Sequence, residues 1–381
     1  MPELNEAVIV AATRSPIGRA NKGSLVDVRA DELMADILNA LLAKVPQVDV
    51  TEVQDIICGN VAQAGETGFN IGRTASILAG IPLSVPAHTV QRFCASSLQA
   101  INTAANAIKV GEGDLYIACG VEKSSSPPPV EGEEKAPRRS PFGPGGLNQK
   151  LLGKNGGDPA FPFVYIPMGL TAENVVDRYG VSREDMDEFA ALSQNRAVEA
   201  QKNGIFEWEI SPVTKADGTV VGADDGPRPN TTVEKLAALP PVFKPDGSVT
   251  AGNACPLNDG AAAVMLMSRV KADQLGLVPL ARVVATAYSG NDPEIMGVAP
   301  IEAIGKVLQR TGMTIKDIDF VELNEAFAAQ VLPVCRETGI DVQSQLNPHG
   351  GAIALGHPFG MTGARIMTTL INDLRTEDKQ W

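Results

Sequence analysis

The stretch Val90-Gln-Arg-Phe-Cys-Ala-Ser-Ser-Leu-Gln-Ala-Ile101 predicts a short strand that runs into a helix, with Cys94 at or near the first helical turn. Apolar residues then recur at helical spacing from Leu98 to Ile108. The free N–H groups and positive dipole end of a helix N-terminus favour a thiolate, which would make Cys94 a nucleophile near neutral pH. Taken alone, such a stretch more often holds a buried, inert cysteine that packs as a small hydrophobe.

Two distant segments carry the residue types that a cysteine nucleophile needs. The glycine-rich segment 347–365 holds two of the three histidines, His349 and His357. Asn324-Glu-Ala-Phe327 follows the strand-like segment 319–323. A cysteine, a histidine and an asparagine drawn from distant segments are the usual composition of a site with a cysteine nucleophile.

On these residues the chain resembles the thiolase family. Cys94 in a Cys-x-Ser-Ser context, Asn-Glu-Ala-Phe at 324–327 and Gly-His-Pro at 356–358 follow the order and spacing of the family motifs, and the resemblance runs from Ala7 almost to the last residue. It implies an α/β fold, a five-layer α-β-α-β-α sandwich of two similar halves with an inserted loop domain covering the active site. The implied bounds are 1–120 plus 242–270 for the N-terminal half, 121–241 for the loop domain and 271–381 for the C-terminal half.

Periodicity along the chain independently indicates an α/β architecture, because apolar runs alternate with amphipathic helical patterns. The stretch 124–167 breaks this alternation and is rich in proline, glycine and serine. Strands are predicted at 7–12, 55–59, 85–90, 114–120, 280–288 and 318–323, and helices at 30–43, 71–78, 171–179, 182–203, 300–311 and 325–338.

Composition excludes several classes of protein. With 44% hydrophobic and 20% charged residues in 381, the chain is expected to be a soluble globular protein, and no apolar run is long enough for a membrane span. The N-terminus has no signal or transit segment, which predicts a cytoplasmic location. Five scattered cysteines without a Cys-x-x-Cys pair argue against a disulfide framework or a zinc site. A net charge of −13 disfavours nucleic acid as a partner.

The resemblance implies a role for each of three catalytic candidates. Cys94 is the nucleophile, and His357 is the general base, which afterwards donates toward the substrate carbonyl oxygen. Asn324 fixes a water that shares an oxyanion site with His357, although an asparagine there could instead cap the following helix. Glu325 either orients His357 or adds negative charge to that helix.

The resemblance also implies coenzyme A as co-substrate, with no metal or redox cofactor. Arg228 matches a position that contacts the nucleotide end of coenzyme A, and an exposed loop arginine is an equally good interpretation. Met168 matches a position beside the pantetheine arm. Cys255 stands where relatives commonly have a serine near the bound thioester, and a loop residue without a role is the favoured alternative. Coenzyme A is a polyanion, so its phosphates must meet local positive charge on an acidic protein.

The implied activity is cleavage of 3-ketoacyl-CoA with coenzyme A to acetyl-CoA and a shortened acyl-CoA, through an acyl-cysteine. The alternatives are an acetoacetyl-CoA thiolase, a ketoacyl-synthase-like condensing enzyme and a degenerate thiolase homologue that only binds acyl-CoA. Pro167 replaces the histidine of many acetoacetyl-specific members. The family further implies a homodimer or homotetramer, and a β-oxidation partner subunit is a further candidate partner. The sequence stops at Trp381, where the family's last strand and Cys-x-Gly loop should begin, so a truncated chain is expected.

Overall fold

The computed structural model describes residues 4–125 and 147–381. This part of the chain contains nine strands and eleven α-helices, numbered here in chain order. The strands are β1 (Ala7–Arg14), β2 (Gly18–Arg19), β3 (Asp55–Gly59), β4 (Ala87–Val90), β5 (Leu115–Lys123), β6 (Val213–Thr214), β7 (Val220–Val221), β8 (Asn258–Ser268) and β9 (Ala281–Arg282). The helices are α1 (Ala30–Ala43), α2 (Ile71–Leu78), α3 (Ser96–Val110), α4 (Met168–Tyr179), α5 (Arg183–Lys202), α6 (Val233–Ala237), α7 (Arg269–Gln274), α8 (Pro300–Thr311), α9 (Ala328–Thr338), α10 (Ala352–Leu355) and α11 (Thr362–Thr376).

The largest sheet is mixed, with the strand order β4-β3-β5-β8-β1-β9 and with β2 paired to β8. β3 runs parallel to β4 and β5, whereas β8 is antiparallel to β5 and β1. Every residue of β1, β5 and β8 is buried. A strand that is covered on both faces has no reason to alternate apolar and polar residues, which explains the nearly continuous apolar sequences of these strands.

Helices cover both faces of this sheet. Val8 and Val10 of β1 belong to the core beneath α1 and α2, whereas Ala7 and Ile9 belong to the core beneath α3. This is the two-residue repeat of a strand with both faces buried. Helix α11 packs beside α3 on the second face. The layers are therefore α1 with α2, the sheet, and α3 with α11.

The N-termini of α3 and α11 meet at a junction that only small residues permit. A Cβ on Gly363 would lie 2.1 Å from the Leu98 backbone nitrogen, and a Cβ on Gly59 would lie 2.4 Å from the Ser97 nitrogen. The Ala364 N–H donates to the Ser97 hydroxyl at 2.9 Å. This junction brings the Cys-x-Ser-Ser stretch and the Gly-His-Pro stretch of the sequence into one region.

The predicted α/β class is confirmed, and several element bounds match residue for residue. These are the helices at 30–43, 71–78 and 300–311 and the strand at 55–59. Helix α9 begins at Ala328, later than the predicted 325, because the preceding residues are extended. Phe327 forms an isolated bridge with Ala254, and the Cys255 N–H donates to the Ala326 carbonyl at 3.0 Å.

The predicted strand at 280–288 is wrong beyond its first residues, since only the two residues of β9 pair with β1. The carbonyl groups that follow bond to side chains instead of to a neighbouring strand. Lys109 donates to the carbonyl of residue 284, Arg310 to that of residue 286 and Lys306 to that of residue 288. Capping by these long cationic side chains replaces the ladder of a strand.

The predicted strand at 318–323 is reduced to a single parallel bridge between Val321 and Leu346. The side chain of Asn347 takes the next ladder position: its oxygen accepts from the Leu323 N–H at 2.8 Å, and its nitrogen donates to the Leu323 carbonyl at 2.9 Å. Of the sandwich that the resemblance implies, the described part of the chain holds one large sheet and the small β6–β7 sheet.

The described part of the predicted loop domain, residues 121–125 and 147–241, contains the end of β5 together with α4, α5, β6, β7 and α6. Ala172 of α4 and Phe189 of α5 share a core with Val331 of α9. Residues 126–146 of the predicted irregular stretch lie outside the described residues, and the domain bounds stay a prediction. No helix in the described ranges combines the length and apolar character needed to cross a membrane.

Candidate active site

Cys94 lies between β4 and α3, two residues before the helix begins. The backbone turns at Phe93, which has a left-handed φ of 45°. The Ser96 hydroxyl holds this turn, accepting from the Arg92 N–H at 2.9 Å and donating to the Phe93 carbonyl at 2.6 Å. Cys94 therefore lies near the first turn of α3, as predicted, but it precedes the helix and is not part of it.

The environment of Cys94 favours the thiol, not the predicted thiolate. Burial raises the pKa of the Cys94 thiol to about 12, and the negative charge of Glu122 acts in the same direction. Desolvation of the anion thus opposes the lowering of this pKa that the helix N-terminus was expected to give. Cys94 therefore needs a base to accept its proton.

His357 is buried and is held at three points. Its backbone N–H donates to Asn258 Oδ1 at 2.9 Å, its Nδ1 lies 2.6 Å from Thr362 Oγ1, and its Nε2 lies 3.2 Å from Asn324 Nδ2. Burial lowers the pKa of His357 to about 3, and the nearby positive charge of Arg365 lowers it further. The ring is thus neutral at physiological pH and has a nitrogen available to accept a proton.

Asn324 contacts the predicted base directly. The clamp of Asn347 on both backbone groups of Leu323 fixes the residue immediately before Asn324. Asn324 donates through Nδ2 toward His357, while its buried Oδ1 has no partner in the described part of the chain. A buried acceptor without a protein partner suits a bound water or a polar substrate atom.

Glu325 does not touch the histidine in the structure. Its carboxylate accepts from the Ser193 hydroxyl at 2.6 Å, the Asn347 amide at 2.8 Å and the Ile353 N–H at 3.1 Å. Of the two roles considered for Glu325, orientation of His357 finds no contact to support it. The residue instead ties α5 to the loop before α10.

Glu122 joins two loops of the site, and sequence reasoning missed it. Its buried carboxylate accepts backbone hydrogen bonds from Val61 at 3.0 Å, from Ala62 at 2.9 Å and from Gly360 at 2.8 Å. Because Gly360 follows the Gly-His-Pro motif and the Glu122 charge acts on Cys94, this carboxylate links the histidine loop to Cys94. Only the fold could reveal it, since its partners are distant in sequence.

Cys255 belongs to the same site. Its backbone N–H is bonded to Ala326, next to the Asn-Glu pair, and a Cys94 thiolate would raise its pKa further above the value set by burial. The structure therefore brings Cys94, Cys255, Asn324 and His357 into one region. The role of Cys255 near the bound thioester stays a prediction.

Met168 begins α4 at the edge of this region and is partly exposed. The next residue, Gly169, packs against the ring of Phe243, which in turn meets the ring of Phe327 edge-on at 5.9 Å. This aromatic pair connects the start of α4 to the Asn324–Phe327 segment. The role of Met168 beside the pantetheine arm stays a prediction.

Arg228 is exposed and lies apart from the buried residues. Its backbone N–H donates to the Gln194 side chain at 2.8 Å, and Gln194 in turn donates to the Ile353 carbonyl of α10. Burial of part of the guanidinium and the positive charge of Arg19 both lower the pKa of Arg228. Two neighbouring cations on an acidic protein form a patch suited to phosphate, and sequence reasoning missed Arg19.

Two histidines outside this region have local roles. His349 Nδ1 lies 2.6 Å from Asp373, and His88 Nδ1 lies 2.8 Å from Asp55 at the sheet edge. Among residues 4–125 and 147–381, no group of three or more histidine, cysteine or acidic side chains is arranged to hold a metal ion.

The chain belongs to the thiolase family. The thiolase N-terminal domain matches residues 7–270 and the thiolase C-terminal domain matches residues 277–381. Among curated relatives, the chain is 46% identical to a beta-ketoadipyl-CoA thiolase of Acinetobacter baylyi, over 97% of this chain and 93% of that protein. It is 44% identical to a 3-ketoacyl-CoA thiolase of Marinomonas sp., over 98% of this chain and 93% of that protein.

Solved structures agree with this assignment. The acetyl-CoA acetyltransferase of Bacillus anthracis superposes with a TM-score of 0.87 at 39% identity, over 100% of this chain and 94% of that one. The dimeric peroxisomal thiolase of Saccharomyces cerevisiae gives a TM-score of 0.87 at 42% identity, over 97% of this chain and 91% of that one. The predicted family and fold are thus confirmed.

Proposed function

We propose that this chain cleaves 3-ketoacyl-CoA with coenzyme A, giving acetyl-CoA and an acyl-CoA that is two carbons shorter. The observation that carries the proposal is the contact of His357 Nε2 with Asn324, together with the Glu122 carboxylate, which bonds to Gly360 of the histidine loop and whose charge acts on Cys94. Membership of the thiolase family supports the reaction class.

In the first half-reaction, the Cys94 sulfur attacks the 3-keto carbonyl while its proton passes to His357 Nε2. Because burial keeps the thiol and the imidazole neutral at rest, proton transfer accompanies attack instead of preceding it. The bond between carbons 2 and 3 then breaks, and its electron pair leaves with the enolate of acetyl-CoA, which takes up the proton held on His357 and so returns the ring to its neutral form. The acyl group remains on Cys94 as a thioester.

In the second half-reaction, the coenzyme A thiol attacks the acyl-cysteine and His357 accepts its proton. Collapse of the tetrahedral intermediate expels the Cys94 thiolate, which recovers the proton held on His357, and releases acyl-CoA. Protonated His357 Nε2 and a water held by Asn324 would donate to the same substrate oxyanion. Such preorganised donors supply a large share of the rate in acyl transfer.

Coenzyme A binding is the proposed role of residues other than Cys94, His357 and Asn324. Arg228 and Arg19 would meet the nucleotide phosphates, and Met168 would line the path of the pantetheine arm. Cys255 would contact the thioester end. We infer that coenzyme A is a co-substrate and that the chain's own residues perform the chemistry without a metal or redox cofactor.

The acyl group is the part of the substrate on which the relatives differ. Both 3-ketoacyl-CoA and beta-ketoadipyl-CoA thiolases are among them, and the second name supports a substrate with a terminal carboxylate as an alternative. We propose the 3-ketoacyl class in general, with the roles in β-oxidation and in the cytoplasm retained as predictions.

A homodimer through strand β4 is the proposed assembly. β4 ends the large sheet, so its outer edge pairs with no other strand among residues 4–125 and 147–381. Large apolar side chains near this edge are exposed, including Phe69 at 97%, Leu83 at 73% and Phe93 at 68%. The relative from Saccharomyces cerevisiae is dimeric. Light scattering should give about twice the chain mass of 40.0 kDa.

The experiment that tests the function is thiolysis of a straight-chain 3-ketoacyl-CoA, acetoacetyl-CoA and 3-ketoadipyl-CoA by the wild type and by Cys94→Ala. Cys335→Ala is the matched control, because Cys335 is a buried cysteine in α9. We expect activity in the wild type and in the control and loss of it in Cys94→Ala. Thiolysis that survives in Cys94→Ala would overturn the proposal, and a preference for 3-ketoadipyl-CoA would select the alternative substrate.

A further inference from the structure

We propose that Thr362 is a positioning residue that fixes the tautomer of His357, so that Nε2 presents a lone pair and not a proton to Cys94. The inference rests on the proposed function, and it deepens that function by naming the group that prepares the base. Thr362 begins α11, and its hydroxyl lies 2.6 Å from His357 Nδ1 and 2.8 Å from the Pro358 carbonyl oxygen. Both Thr362 and His357 are 1% exposed, so bulk water does not compete for these bonds.

The direction of the bonds follows from counting protons. A threonine hydroxyl has a single proton, and a carbonyl oxygen can only accept. The contact with Pro358 therefore uses the Thr362 proton. The Thr362 oxygen must then accept in its second contact, which requires a proton on His357 Nδ1. A neutral imidazole has only one N–H, so Nε2 is left unprotonated.

The opposite side of the ring agrees with this assignment. Asn324 presents its amide nitrogen, a donor, to His357 Nε2 at 3.2 Å. An unprotonated Nε2 accepts this bond, whereas a protonated Nε2 would face a donor with a donor. The reverse tautomer would need Thr362 to give up its bond to Pro358 and Asn324 to rotate its amide.

A hydroxyl partner differs from a carboxylate in its effect on the protonated ring. A buried carboxylate hydrogen-bonded to a catalytic histidine orients the ring and also stabilises the imidazolium. Thr362 orients the ring without contributing charge, and the charged group that acts on the ring, Arg365, is itself a cation. The proton taken from Cys94 is thus held weakly and is readily passed on to the substrate, which suits a base that must act twice in each turnover.

Thr362→Val tests this inference, because valine keeps the shape of threonine and removes the hydroxyl. Thr368→Val is the matched control: Thr368 lies in the same helix, is fully buried and makes the same hydroxyl bond to the carbonyl four residues earlier, at 2.9 Å. Thr362→Ser is the rescue variant, since it restores the hydroxyl. The readouts are kcat and KM for thiolysis, the rate of Cys94 alkylation by iodoacetamide, and the ¹⁵N shifts of the histidine rings, of which the chain has only 3.

We expect Thr362→Val to lower kcat on the order of 10- to 100-fold with KM changed little, as is typical when the hydrogen-bond partner of a working histidine is removed. Thr362→Ser should recover most of kcat, and Thr368→Val should leave it nearly unchanged. The wild-type ¹⁵N spectrum should show His357 protonated at Nδ1. Equal kcat values for Thr362→Val and Thr368→Val, or a wild-type His357 protonated at Nε2, would overturn the inference.

The ring spectrum and the alkylation rate separate this inference from the proposed function. If the wild type shows no thiolysis of any 3-ketoacyl-CoA, the proposed function fails. The tautomer of His357 and the effect of Thr362→Val on Cys94 alkylation still decide the role of Thr362 in that case.

Discussion

Asn347→Ala should destabilise the protein strongly, because the Asn347 side chain bonds to the backbone of Leu323, beside Asn324, where a strand was predicted. The change removes three hydrogen bonds, two partly buried ones to the backbone of Leu323 and a buried one to Glu325. At about 1 kcal/mol each, these bonds account for roughly 3 kcal/mol. Asn347 also has a left-handed φ of 39°, where alanine costs about 1 kcal/mol more. The expected loss in the free energy of unfolding is about 4 kcal/mol.

Asn230→Ala is the matched control for this experiment. Asn230 also has a left-handed φ, 64°, but it is exposed, and its hydrogen bond from Lys235 goes to the backbone carbonyl. Its replacement should therefore cost only about 1 kcal/mol, from the backbone conformation. Urea unfolding of both variants gives the difference, and thiolysis reports whether Asn324 is displaced. If Asn347→Ala loses no more stability than Asn230→Ala, the hydrogen bonds from the Asn347 side chain to Leu323 do not stabilise the segment before Asn324.

Three further predictions concern the nucleophile, the coenzyme and the packing. Alkylation of Cys94 by iodoacetamide should keep rising between pH 7 and pH 10 without a plateau, because the pKa is raised to about 12; a plateau below pH 9 would contradict the burial argument. Arg228→Ala should weaken coenzyme A binding in calorimetry by about tenfold through one lost charge-assisted bond, while Arg269→Ala on α7 should not. Gly363→Ala should lower the unfolding midpoint and cost about 1–3 kcal/mol, since its Cβ would meet the Leu98 backbone. Gly305→Ala, in an open position on α8, should instead stabilise by about 0.5–1 kcal/mol, and equal effects of the two would refute the packing argument.

Elements with strong internal periodicity were predictable from the sequence. Helix α1 and helix α8 match their predicted bounds because their apolar spacing and end signals are local. The strand at 318–323 was not predictable in its observed form. Its backbone groups bond to the side chain of Asn347, and no local pattern announces a partner 24 residues away.

The residues of the candidate site were also predictable only in part. Cys94, His357 and Asn324 could be named because they lie in recognisable motifs, and the structure brings His357 and Asn324 into contact. The charge state of Cys94 could not be predicted, because desolvation depends on what the fold packs around the thiol. Thr362 and Glu122 were missed for a related reason: threonine at a helix start and glutamate at a strand end are ordinary in sequence, and their function lies in what they contact.

The most direct test of the account is to mix the protein with a 3-ketoacyl-CoA in the absence of free coenzyme A and to analyse it by peptide mass spectrometry. The account predicts one equivalent of acetyl-CoA released and the shortened acyl group attached to Cys94, which added coenzyme A then removes as acyl-CoA. Acetyl-CoA release without an acyl group on Cys94, or an acyl group on another residue, would contradict it.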